Sequence, residues 1–306
     1  MNVGVGISIA ALTVAVVSTG LFVHQSRSIS TEKIAISEEA CHAGNPPELT
    51  AKTGIVLNLT DGEVLYEKGS TRQVPLASLT KVMTALVASL ILDPNDDVTI
   101  SADALTPLGD AGLVEGEVWR AQDLIDFTLI TSANDGARAL LLASTDKANE
   151  PPNAFVDRMN ALASSLGLTQ TYFLNETGLD VTTSLAGAYG SAADVASLLG
   201  HLYREAGEVA AASSRPRSVF TSRSGIEHQA ENTSTTAGHL PGQVVSKTGF
   251  TDLAGGNLGI VAEPLPGKPV AIVVLSSTRE ERERDVVALY EYARTSLRRA
   301  TLCQMQ

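Results

Sequence analysis

Three Ser-x-x-Lys pairs occur in the chain: Ser30/Lys33, Ser78/Lys81 and Ser144/Lys147. A serine beside a lysine can act as a nucleophile whose proton passes to an uncharged amine. That chemistry needs the lysine out of water, because burial disfavours the ammonium and lowers its pKa. Context separates the three pairs. Ser30/Lys33 lies in a polar stretch where nothing can bury an amine, and Ser144/Lys147 falls at a polar helix end beside Asp146. Ser78/Lys81 opens an apolar helix that follows Pro75, with Val82, Met83, Leu86, Val87 and Leu90 at helical intervals. Spacing i, i+3 puts both side chains on one helix face. The first turn also offers free backbone N–H groups and the positive dipole end, which suit a developing oxyanion. Ser78 is therefore read as nucleophile and Lys81 as base.

Two further motifs can complete a site. Ser132-Ala133-Asn134 is the one Ser-x-Asn of the chain. Lys-Thr-Gly occurs twice, and Lys52-Thr53-Gly54 reads as a strand start. Lys247-Thr248-Gly249 lies on a strand-like segment, Val244 to Phe250. Alternation puts Lys247 and Gly249 on one face. Lys247 would supply a cation for a carboxylate, and Gly249 would leave room for a substrate against the strand. Other routes lack their signatures. There is no G-x-S-x-G, no H-E-x-x-H and no C-x-x-C. His24, His42, His201, His228 and His239 form no ligand-spaced set and read as surface or structural residues. Gly255–Gly259 is not a G-x-G-x-x-G, so a nucleotide loop is not expected; neither a cofactor nor a metal is expected.

The elements that must position these residues follow from the pattern. Residues 54–59 and 63–67 flank Thr60-Asp61-Gly62, a hairpin signature. The apolar spacing predicts a helix over 77–92, further helices over 136–143, 154–166 and 192–203, and a closing helix from about 280 to 302. Segments 219–220, 243–246, 257–262 and 270–275 read as strands. Strands at both ends with helices between predict a mixed α/β domain of the α+β type, its sheet drawn from both ends and a helical insertion over about 76–214. The 306 residues, 44% apolar, suffice for a sizeable core. A net charge of -12 without a basic stripe argues against nucleic acid as a partner. Residues 3–23 are uncharged and long enough to cross a bilayer, so residues 1–24 are read as a membrane anchor or a signal segment. Residues 25–50 read as a tether and 51–302 as the catalytic domain. Cys41 and Cys303 either pair in an oxidising compartment or remain thiols.

The ordered trio Ser78-x-x-Lys81, Ser132-x-Asn134 and Lys247-Thr248-Gly249 resembles the penicillin-recognising serine hydrolases. Pro75–Thr84, Thr131–Asp135, Leu166–Leu168 through Gly178–Asp180, and Lys247–Asp252 with Ala254-Gly255 narrow the resemblance. They are similar to the low-molecular-mass penicillin-binding proteins, the serine-type D-alanyl-D-alanine carboxypeptidases, from about residue 50 to 300. The resemblance implies a penicillin-binding-protein and β-lactamase-like transpeptidase fold: an antiparallel sheet flanked by helices, plus a helical subdomain. It implies that Ser78 attacks the carbonyl between the last two D-alanines of a peptidoglycan stem peptide while Lys81 accepts its proton. The N–H groups of Ser78 and Phe250 would form the oxyanion hole. Ser132 would pass the proton to the leaving amine, Asn134 would orient Lys81 and the substrate amide, and Lys247 and Thr248 would hold the terminal carboxylate. Lys247 near Lys81 would also depress the Lys81 pKa by like-charge repulsion. β-Lactams are then covalent inhibitors, and the domain works in the periplasm or on the outer face of the cell membrane, held by its N-terminal segment.

Three other readings compete. Asn175-Glu176-Thr177 and the loosely matching Asn232-Thr233-Ser234 leave the groove's shape open, and with it the choice of a D,D-endopeptidase. A β-lactamase needs a glutamate for the deacylating water, with Glu150 and Glu176 the nearest stand-ins. A non-catalytic penicillin sensor would be acylated without turnover.

Overall fold

The computed structural model describes residues 45–304. The strands are β1 (Thr53–Asn58), β2 (Val64–Lys68), β3 (Val74–Pro75), β4 (Asp97–Thr99), β5 (Val118–Arg120), β6 (Tyr172–Phe173), β7 (Ala188–Gly190), β8 (Arg217–Thr221), β9 (Glu227–Glu231), β10 (Gln243–Thr251), β11 (Gly255–Leu265) and β12 (Lys268–Ser277). The helices are α1 (Thr80–Ile91), α2 (Ala121–Thr131), α3 (Asn134–Ala148), α4 (Asn153–Ser165), α5 (Ala192–Glu205), α6 (Gly207–Ala212) and α7 (Glu281–Gln304). An antiparallel sheet in the order β10-β11-β12-β1-β2 forms the centre, so β10 and β2 are its edges. Both ends of the domain supply its strands, giving the α+β arrangement that the sequence pattern predicts.

The hairpin β1–β2 forms where the Asp-Gly signal sits. Thr60 N–H donates to Asn58 Oδ1 and Glu63 N–H to Asp61 Oδ1, both at 3.0 Å. Gly62 takes φ +79°, a conformation that a Cβ disfavours. Strand β12 carries an unbroken apolar run because both of its faces are covered. Ala271, Val273 and Leu275 enter the core under α5, while Val270, Ile272 and Val274 enter a second core under α7. The first core continues through Leu86, Phe127, Leu140, Phe155 and Met159 of α1 to α4. One packed body therefore carries both the sheet and the helices that face it.

The region 76–214 is less uniformly helical than its composition suggests. Strands β3, β7 and β6 form one small sheet, and β4 pairs with β5. Each is only two or three residues long, too short for an alternating pattern to register. Helix α5 packs on β1 and β12 of the main sheet as well as on α1. The hairpin β8–β9 places His228 inside, with Nε2 2.7 Å from Glu117 Oε1 and its ring 4.9 Å from that of Trp119. This histidine belongs to a buried aromatic cluster, away from the groove described below.

The fold takes hold of the chain at Leu49, which is buried in the second core. Thr50 N–H and Ala51 N–H donate to the Asp285 carboxylate at 2.9 and 2.8 Å, and Ser277 Oγ donates to it at 2.9 Å. Among the described residues no helix is long and apolar enough to cross a membrane. The segment 3–23 and Cys41 lie outside the described residues, and so does the choice between a Cys41–Cys303 bridge and two thiols. Removing the Asp285 carboxylate leaves two backbone donors without partners. We expect Asp285→Ala to lower unfolding stability by about 3 kcal/mol, read from its urea midpoint, while leaving acylation of Ser78 in the folded protein unchanged.

Candidate active site

Ser78 sits in a single 3-10 turn, Ala77–Leu79, that runs straight into α1. The turn begins with Ala77 at φ +49°, a left-handed conformation that costs a residue with a Cβ about 1–2 kcal/mol. Its neighbours hold it there. Thr80 Oγ1 donates to Ala77 O at 2.7 Å, and Asn257 Nδ2 donates to Pro75 O and Leu76 O at 3.0 Å each. Asn257 is fully buried on β11, and its own Oδ1 accepts from Ser276 N–H at 2.8 Å. Two glycines let the turn lie this close. A Cβ on Gly178, at φ +77°, would overlap Ala77 O. A Cβ on Gly249 would stand 2.8 Å from Leu76 O and 3.2 Å from Ser78 N. The space left by the missing Gly249 side chain is thus filled by the nucleophile turn, while Gly249 also lines the cavity described below.

Lys81 is fully buried. Its Nζ donates to Ser78 Oγ at 2.9 Å, to Asn134 Oδ1 at 2.6 Å and to Thr177 O at 2.8 Å. The last contact depends on Asn175, whose Oδ1 accepts from Thr177 N–H and Gly178 N–H and so shapes the turn that presents Thr177 O. Burial lowers the Lys81 pKa to about 7, while the carboxylates of Glu176 and Asp135 oppose the shift. Lys247 is itself held well below its ordinary value, by burial first and then by Lys81 and Arg282. Repulsion between the two lysines is mutual, so it disfavours charge on either amine while the other carries one.

Ser132 caps α2 in a left-handed conformation at φ +62° and accepts from Lys247 Nζ at 2.8 Å. Lys247 also donates to Thr248 O at 2.9 Å and is buried. Asn134 opens α3, and its Nδ2 donates to Leu108 O at 2.6 Å. Helices α2 and α3 meet at this point, so Ser132 and Asn134 arrive together at Lys247 and Lys81.

A cavity of about 990 Å³ opens above these groups, lined by Ser78, Ser132, Asn134, Thr248, Gly249 and Phe250 among others. Lys81 and Lys247 are absent from its lining and lie beneath it. The structure therefore brings all eight sequence-derived residues into one place, with the two lysines under the floor. Thr233, from the stretch that the sequence reading ties to the groove's shape, also lines the cavity, and its Oγ1 meets Thr248 Oγ1 at 2.5 Å. Sequence reasoning missed other residues of the site. Arg279 and Arg282 line it from the start of the closing helix, with the Arg279 guanidinium 4.2 Å above the Phe250 ring. Asn257 lies within Gly255–Gly259, whose glycines draw the eye only to a nucleotide loop. Glu176 is buried away from the cavity, 3.7 Å from Arg138, and Glu150 pairs with Arg158. Neither glutamate lines the groove.

Among known proteins, a family model described as D-alanyl-D-alanine carboxypeptidase matches residues 39–278. The D-alanyl-D-alanine carboxypeptidase DacB2 of Mycobacterium tuberculosis is 33% identical over 214 residues, covering 68% of this chain and 69% of that one. A D-alanyl-D-alanine endopeptidase of Escherichia coli is 29% identical over 252 residues, covering 78% and 75%. Some relatives are longer: the chain spans 46% of the carboxypeptidase DacD of Escherichia coli. Among solved structures, penicillin-binding protein D2 of Listeria monocytogenes in its ampicillin-bound form matches with a TM-score of 0.69 at 30% identity, covering 82% of this chain and 99% of that one.

The close contact at Gly178 yields a test. Gly178→Ala must push Ala77 out of its turn and with it Ser78. We expect acylation of Ser78 by a labelled β-lactam to fall about 100-fold, since a displacement of about 1 Å at a reacting group has that effect. An unchanged acylation rate would show that the turn tolerates the methyl.

Proposed function

This chain belongs to the D-alanyl-D-alanine carboxypeptidase family, and on that premise we propose that it removes the terminal D-alanine from peptidoglycan stem peptides through an acyl-enzyme on Ser78. The observation that carries this reading is Lys81: a lysine out of water, at a pKa of about 7, 2.9 Å from a serine that lines an open groove. In the proposed reaction Ser78 Oγ passes its proton to Lys81 and attacks the carbonyl between the last two D-alanines. The N–H groups of Ser78 and Phe250 receive the oxyanion. Ser132, bonded to Lys247, conveys the proton to the leaving amine, and Asn134 holds Lys81 while orienting the substrate amide. Thr248 at the cavity wall, with Lys247 beneath it, receives the terminal carboxylate. Water then releases the acyl group.

A β-lactam enters the same path by opening its ring on Ser78. The buried Glu176, turned towards Arg138, supports slow release of that adduct rather than β-lactamase turnover. The endopeptidase relative keeps a second substrate in view, the crosslinked stem peptide. We further place the domain outside the cytoplasm, tethered by residues 3–23; an uncharged run long enough to span a bilayer and a cell-wall substrate support this.

Product analysis on monomeric and crosslinked muropeptides tests the activity. We expect free D-alanine from the pentapeptide, lost by about 10³-fold or more in Ser78→Ala. Conversion of dimers to monomers without free D-alanine would instead establish the endopeptidase. The acylation rate should rise with pH through about 7 and then level, because the attacking pair needs the uncharged Lys81. A rate independent of pH between about 5 and 9 would remove Lys81 from the role of base. Protease treatment of spheroplasts, from which any outer envelope layer has been removed, should degrade the domain; full protection would overturn the placement.

A further inference from the structure

Arg282 stands where helix physics disfavours it. It is the second residue of α7, in the first turn, where the helix dipole repels cations and the neighbouring Glu281 and Glu283 are the favoured type. It is also buried, and burial lowers its pKa. Its Nε lies 3.6 Å from Glu283 Oε1, and neither of these buried atoms has a hydrogen-bond partner. What the guanidinium does bind is backbone. Nη1 donates to Gly249 O at 3.0 Å and Nη2 to Thr233 O at 3.4 Å.

The first of those carbonyls has a second end. Gly249 O and Phe250 N–H belong to one peptide group, and among the described residues no peptide bond is cis. In a trans peptide the C=O and N–H point in opposite directions. With its oxygen turned to Arg282, the group sends the Phe250 N–H the other way. Gly249 itself lies against Ser78 N, so close that a Cβ added to the glycine would stand 3.2 Å from that nitrogen. A cation on the carbonyl also draws electron density from the amide and strengthens its N–H as a donor. The other amide is treated alike: Ala77 O, on the peptide that carries Ser78 N–H, accepts from Thr80 Oγ1 at 2.7 Å.

We propose that Arg282 is a positioning residue for the oxyanion pocket: its guanidinium grips Gly249 O and so fixes and polarises the peptide whose N–H meets the developing charge. This rests on the acyl-enzyme reading above. It explains a buried cation in the first turn of α7, and it gives that turn a part in the chemistry.

The test uses the full chain with Arg282→Met and Arg282→Lys, on an acyl-D-alanyl-D-lactate ester and its thionoester. Sulfur accepts hydrogen bonds poorly, so an intact oxyanion pocket favours the oxygen ester. We expect Arg282→Met to lower kcat on the ester about 10- to 100-fold, with KM held within about twofold, and to shrink the oxygen-over-sulfur preference by a similar factor. Arg282→Lys, which keeps a charge and one donor, should recover part of both. Should Arg282→Met fail to fold, Arg282→Lys carries the same comparison with an intermediate loss of preference. A raised KM with the preference intact, together with lost discrimination between a terminal carboxylate and a carboxamide, would make Arg282 a substrate contact and overturn the proposal. A parallel fall in thermal stability and rate with the preference intact would also overturn it, leaving Arg282 a structural residue. If the wild type neither turned over the ester nor took up labelled penicillin, the acyl-enzyme reading itself would fall, a result separate from any difference between the variants.

Discussion

An amine sealed from water sets the terms for everything around it. Lys81 cannot stay a buried ammonium cheaply, and an isolated ion in such a place costs several kcal/mol even after relaxation. Nor can it be left without partners, because buried polar groups need hydrogen bonds. Its three acceptors come from three separate pieces of chain: the turn before α1, the first residue of α3, and the loop at Thr177. Glu176 and Asp135 pull its titration back upward against burial. The balance leaves the amine close to half-charged near neutrality, where a general base is most useful.

The rest of the architecture can be understood as holding those pieces in register. The central sheet is covered on both faces, and its buried strands give a stiff platform. Strand β11 contributes Asn257, which anchors the two carbonyls before the nucleophile. Strand β10 contributes Gly249, against which the turn rests. The strained Ala77 is therefore supported from two strands and one loop, and its conformation is stored in the folded protein before any ligand arrives.

Much of this is legible in the residues. The Asp61-Gly62 turn, the helix after Pro75 and the strand at Val244–Phe250 all carry local signals, and each forms where its signal lies. Ser78, Lys81, Ser132, Asn134 and Lys247 can be selected because their types match a single chemistry. The short strands β3 to β7 are not legible, since two or three residues show no period. Nor are Asn257 and Arg282, whose contacts join positions up to 182 residues apart. Gly178 and Gly249 can be seen as glycines, but which atoms need their missing side chains depends on tertiary approach. The electrostatics of Lys81 are half legible: burial is readable from the apolar turn after it, but the weight of Glu176 and Asp135 depends on how three segments meet.

Strand β10 ends the sheet on the side of the groove. An unpaired strand edge invites a second polypeptide to add alongside, and in solution the nearest candidate is another copy of the same chain. Here that edge is crowded by Arg279, Arg282, Arg284, Glu280 and Glu283 around the cavity. Charged side chains beside an open edge are one of the ways in which proteins discourage self-association. The ring of charge that frames the groove therefore lies along the same strand edge that carries Thr248, Gly249 and Phe250.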